Sequence, residues 1–96
     1  MTWARLLLRR RLILDEVTFV ELVVWRVPER VRGSAHDLEY RLALVTSGRC
    51  VLRYDNEAGK GDHKHLGSLE VPYAFRGLER LQADFWVDVE SWLEER

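Results

Sequence analysis

A chain of 96 residues with a net charge of −1, 47% hydrophobic and 32% charged residues, can close one apolar core and has no surplus for a second, so residues 1–96 read as a single domain. Four tryptophans among that apolar content exclude a disordered chain, and the lone cysteine excludes an internal disulfide. The near-zero charge hides an asymmetry: Gly77 to Arg96 holds six acids against Arg80 and Arg96, net −4, while the preceding 76 residues hold 13 basic and 10 acidic groups, net +3.

The N-terminus reads Met1-Thr2-Trp3-Ala4-Arg5-Leu6-Leu7-Leu8-Arg9-Arg10-Arg11. Three apolar residues between basic ones are too few for a signal-peptide core or a membrane span, which predicts a cytoplasmic protein with no membrane contact. Leu6, Leu8, Leu12 and Leu14 share one parity, with Arg5, Arg9 and Arg11 on the other and Arg10 as the misfit, the two-residue period of a half-buried strand. Asp15 to Thr18 makes a polar turn, and Phe19 to Val27 is β-branched and aromatic enough to return as the second strand of a hairpin. Pro28 to Asp37 has proline, glycine and charge without period and reads as a loop.

Leu38, Tyr40, Leu42 and Leu44 alternate with Glu39 and Arg41, and after Thr46-Ser47-Gly48 the set Cys50, Leu52, Tyr54 alternates with Arg53 and Asp55, which predicts a second hairpin with Cys50 as a packed, reduced thiol. Asn56 to Pro72 is almost wholly polar and long for a structureless connection. Beyond it Leu78, Leu81, Phe85, Val89, Trp92 and Leu93 recur at spacings of three and four, an amphipathic helix whose polar face carries the acids. The expected fold is α+β: a four-stranded antiparallel sheet of two hairpins with the C-terminal helix packed on one face.

The chemistry concentrates in Tyr54-Asp55-Asn56-Glu57-Ala58-Gly59-Lys60-Gly61-Asp62-His63-Lys64-His65. Two imidazoles, two lysines and carboxylates supply what phosphodiester cleavage needs: groups that move protons near neutrality, cations for the phosphate, and carboxylates to orient a ring. His63 and His65 stand two apart, so an extended backbone points both the same way, as an acid and a base require. Asp55 and Asp62 are the candidate orienting groups, and Lys60, Lys64, Tyr54 and Asn56 the candidate substrate contacts. A polar loop is ordinarily solvated surface, Tyr54, Tyr73, Phe75 and Phe85 sit in core-like patterns, and His36 reads as a local hydrogen bonder.

Gly59-Lys60-Gly61 lacks the spacing and the Ser or Thr of a phosphate-binding P-loop, and the segment lacks the ligands of a calcium loop. A zinc site on His63 and His65 would need ligands from elsewhere, such as Asp84 or Asp88. No metal and no cofactor is assigned.

The same run, followed by Pro72-Tyr73-Ala74-Phe75, by Asp84-Phe85 and by Asp88-Val89, resembles the TumE family of toxin–antitoxin proteins, and Gly33 to Leu44, with His36 and Tyr40-Arg41-Leu42, extends the resemblance upstream. The family often has arginine where this chain has Lys64, which keeps the charge without the bidentate fork, and often a second glycine in place of Ser68. The resemblance implies a growth-inhibiting toxin neutralised by a cognate antitoxin, one carrying a helix-turn-helix domain. The loop chemistry adds the expectation of a small endoribonuclease that uses no metal. Alternatives are a non-catalytic toxin that binds RNA or protein, and a metal-dependent or nucleotide-modifying enzyme. A homodimer is compatible with the sequence.

Overall fold

The computed structural model describes residues 3–96; Met1 and Thr2, the start of the basic N-terminal segment, lie outside it. Six strands form one antiparallel sheet in the order of the chain: β1 (Arg5–Ile13), β2 (Thr18–Arg26), β3 (Leu38–Thr46), β4 (Arg49–Asp55), β5 (His63–Leu66) and β6 (Leu69–Pro72). A single helix, α1 (Leu78–Glu95), follows. The α+β class holds, but the sheet has six strands and not four.

The two additional strands fall in the polar segment that reads as loop. Each has four residues, and β5 is His63-Lys64-His65-Leu66, so apolar alternation is nearly absent. Backbone pairing with β4 and a two-residue turn at Gly67-Ser68, with Gly67 at φ 62, hold the hairpin together. The β3–β4 turn uses the same device, with Ser47 at φ 48 and Gly48 at φ 76.

One sheet face carries the core. Val20, Leu22 and Val24 of β2, Leu38, Tyr40, Leu42 and Leu44 of β3, and Leu52 and Tyr54 of β4 close against Leu81, Phe85 and Val89 of α1. The helical spacing of those three residues puts them on one stripe, and burying each contributes about 1.5–3 kcal/mol of transfer free energy. Arg96, just past the helix, donates to Asp15 Oδ2 at 2.9 Å and to Thr18 Oγ1 at 3.3 Å, which ties the helix end to the β1–β2 turn.

Two bulges modify the parity expected from sequence. In β1 the register shifts between Leu6 and Leu8, so Leu7 and Leu8 both pack toward the core while Leu6, opposite Trp25, is left 43% exposed. A second shift, between Leu44 and Val45, pairs Cys50 with Val45 and lets Val51 pack on the core. Cys50 is therefore an exposed free thiol and not a packed one. Among the described residues no helix is long and apolar enough to cross a membrane.

Candidate functional site

Register decides which chemistry-bearing side chains meet. Asp55 pairs with His63, Tyr54 with Lys64 and Arg53 with His65. Since side chains alternate across a sheet, Arg53, Asp55, His63 and His65 share the face turned away from α1. Tyr54 and Lys64 share the helix side. The twelve-residue run is thus divided between two surfaces.

On the helix-free face the imidazoles stand together, His63 at 19% and His65 at 21% side-chain exposure. Glu70, brought in by the β5–β6 pairing of His65 with Glu70, lies between them. Its Oε1 is 3.9 Å from His63 Nε2 and its Oε2 is 3.6 Å from His65 Nδ1. Arg53 donates to His65 Nε2 at 3.1 Å. A guanidinium has no acceptor, so neutral His65 keeps its proton on Nδ1, facing Glu70. His63 Nδ1 lies 3.1 Å from the carbonyl of Gly61 and must donate, which leaves Nε2 as the acceptor of the neutral ring.

Asp55 Oδ1 is 3.8 Å from His65 Nε2, and its Oδ2 is 2.9 Å from Arg53 Nε in an ion pair whose angle makes no hydrogen bond. Lys60 approaches from the loop, with Nζ 3.9 Å from Glu70 Oε1 and 3.5 Å from Glu57 Oε2. Glu70 and Arg53 were not singled out from the sequence. The period-two alternation that runs through Arg53 could have found the arginine, whereas Glu70 needed the unrecognised hairpin.

Asp62 does not face this pair. Its Oδ2 accepts from Tyr40 Oη and from His36 Nε2, both at 2.7 Å, and its Oδ1 accepts from Ser34 Oγ at 2.9 Å. His36 Nδ1 accepts the amide of Leu38 at 3.2 Å, so Nε2 carries the proton, and Phe75 stacks on the ring at 3.7 Å between centroids. His36 is a local hydrogen bonder to Leu38, as its position suggests, and it also meets a carboxylate 26 residues away.

Asn56, 2% exposed, donates Nδ2 to the Leu38 carbonyl at 2.6 Å and to Ser34 Oγ at 3.2 Å, and accepts the Tyr40 amide on Oδ1 at 3.0 Å. Its side chain replaces the strand that would have continued β4. Nearby the two loops cross on glycine backbone: a Cβ on Gly33 would lie 2.8 Å from Gly61 N, and one on Gly61 would lie 2.9 Å from Gly33 O. Asp62, Asn56 and these glycines fix the entry into β5 and thereby the place of His63.

On the helix side Tyr54, 1% exposed, donates its hydroxyl to Asp88 Oδ2, which Lys64 Nζ meets at 3.2 Å. Tyr73 donates to Asp84 Oδ2 at 2.6 Å and Arg80 Nε to Oδ1 at 2.9 Å. The Tyr73 hydrogen bond, with Arg80 beside it, holds the Asp84 carboxyl below its ordinary range. Lys64, Tyr54, Asp84 and Asp88 therefore join helix to sheet, and Asn56 braces the loop.

Burial, reinforced by the hydrogen bonds to Asp62 and Asp88, pushes the Tyr40 and Tyr54 hydroxyls well above their ordinary value of 10.0. The sign follows directly. Folded-state values raised above the unfolded ones mean stability that is complete below pH 10 and lost above it, where only the unfolded chain releases these protons. Each tyrosine contributes a slope of about 1.4 kcal/mol per pH unit. Denaturant midpoints measured from pH 8 to 11.5 should fall steeply above 10, less so in Tyr54→Phe; a flat profile would contradict the burial of both hydroxyls.

Among the described residues no group of three or more His, Cys, Asp or Glu is arranged to hold a metal ion. Fold and cluster together define a small α+β protein that covers one sheet face with a helix and gathers its titratable groups on the other. The family model described as toxin TumE matches residues 4–93, and the chain belongs to that family. It is on that ground a toxin of a toxin–antitoxin system, and membership implies a cognate antitoxin. No curated protein and no solved structure gives a significant match.

Proposed function

We propose that this toxin cleaves RNA, with the imidazole pair of the helix-free face as its acid and base. The observation that carries the reading is that β5 places His63 and His65 side by side, partly open to solvent, with Glu70 reaching both rings. His63 Nε2, the free acceptor, takes the proton from a ribose 2′-hydroxyl as the 2′-oxygen bonds to the adjacent phosphorus. The bond from phosphorus to the 5′-oxygen breaks, and His65, protonated at Nε2 once Arg53 turns from the ring to the phosphate, supplies the leaving oxygen with its proton. Glu70 and Asp55 stabilise the imidazolium forms, and Lys60 and Arg53 neutralise charge gathering on the phosphate. Asp62, Asn56, Tyr54 and Lys64 act by positioning.

The encounter takes place in the cytoplasm, where a helix-turn-helix antitoxin would hold the toxin inactive. The test is induced expression without antitoxin, comparing the natural chain with a folded His63→Ala, His65→Ala double variant while total RNA is followed. Growth arrest with RNA loss in the natural chain alone is the expected result. Arrest by both would move the function to binding without cleavage, the second reading that exposed Arg9 and Arg41 on the same face support.

A further inference from the structure

The helix-free face is not flat. Three hollows of about 390, 220 and 300 Å³ lie end to end across the strands. The first has Asp55 in its wall and shares Glu39 and Arg41 with the second. The second, with Trp25 in its lining, shares Glu21 and Val23 with the third, which Arg9, Arg10 and Arg11 border. Register confirms the alignment: Arg9 is opposite Val23 and Val23 opposite Arg41, while Arg41 is opposite Asp55 and Asp55 opposite His63. Five adjacent strands at about 4.8 Å spacing make a path of about 19 Å from β1 to the histidines.

The walls hold acids as well as arginines, with the Trp25 ring among them. Glu21 is met by Arg11 at 3.5 Å, Asp55 by Arg53 at 2.9 Å and Glu57 by Lys60 at 3.5 Å, which among the described residues leaves Glu39 against arginines without an ion-pair partner, Arg9 and Arg41. Arg9 and Arg41 are exposed. Cationic grooves with interleaved aromatic faces suit unpaired nucleic acid, whose bases can stack while its phosphates meet the guanidiniums. A duplex hides its bases from such a platform.

We infer that a single-stranded RNA lies across this face, perpendicular to the strands, from Arg9 and Arg11 over Trp25 and Arg41 to His63 and His65. The inference rests on the ribonuclease reading only for the class of ligand. It explains why the edge strand β1 sets Arg9 and Arg11 on the face away from the helix.

The test uses a fluorescent single-stranded RNA oligonucleotide of mixed sequence, with anisotropy read on the His63→Ala, His65→Ala variant so that no strand is cut. Adding Arg9→Gln with Arg11→Gln, or Arg41→Gln, should weaken binding about tenfold, and each arginine lost should reduce the salt slope by about 0.7. Trp25→Phe should retain more affinity than Trp25→Ala. Affinities within twofold of the parent across these variants, or equal binding of a double-stranded RNA, would overturn the inference. So would arginine variants that break a dimer on size exclusion yet bind RNA unchanged, since the trough would then belong to a second copy. If RNA is held in the trough but the natural chain never cuts it, the inference stands and the nuclease reading falls.

Discussion

Alanine at His63 or at His65 alone is expected to reduce RNA cleavage by about 10²–10⁴-fold, the usual worth of one positioned acid or base. The double variant should lose little more than the worse single one, because an acid and a base that act as a unit in one displacement are not additive. The pH–rate profile of the natural chain should be bell-shaped, and each single variant should lose one limb. Glu70→Gln keeps the shape of the side chain and removes the charge shared by the rings, so it should alter the profile more than substrate binding. Lys64→Ala is the contrasting variant: Lys64 meets Asp88 on the helix side, so its loss should appear in stability, with cleavage within a few-fold of natural. Cleavage that survives both histidine substitutions, or collapses with Lys64 while the fold is intact, would remove the proposed assignment.

That contrast also shows what one dimension could and could not convey. Two rings at positions 63 and 65 must share a face if the segment is extended, and β5 makes it so. The same period puts Lys64 on the other face, which was implicit in the alternation but hidden while the segment read as a loop. β5 and β6 escaped because their stability comes from pairing with β4 and not from apolar side chains; only the Gly67-Ser68 turn marked them.

The long-range partners were illegible for a different reason. Nothing local announces that Asp62 meets His36, Tyr40 and Ser34, from 22 to 28 residues away. The resemblance did point to His36 and Tyr40, although their tie to the loop is a fact of three dimensions. The helix, by contrast, was plain in its three- and four-residue spacing, and its observed range, Leu78–Glu95, contains every apolar position that announced it.

The second large effect is expected at Asn56, where fold and site are joined. Asn56→Ala removes the only observed side-chain partner of the Tyr40 amide and one of the Leu38 carbonyl, both in a buried setting. An unsatisfied buried group costs about 1–3 kcal/mol, so the loss should be about 2–5 kcal/mol, read as a shift in the denaturant midpoint at constant slope. Ser34 would also lose the donor at its Oγ, loosening its hold on Asp62 and the crossing of the two loops. Asn56→Asp separates the two consequences. It retains an acceptor for the Tyr40 amide but sets a carboxylate 2.6 Å from the Leu38 carbonyl, where Asn56 now donates. That variant should therefore regain stability as pH falls toward the carboxyl range and the acid becomes a donor. In Asn56→Ala the same acidification should restore nothing. Cleavage should follow the fold in both variants, because His63 enters β5 from the segment that Asn56 anchors; a stable Asn56→Ala protein with full activity would show that the loop holds its course without that amide.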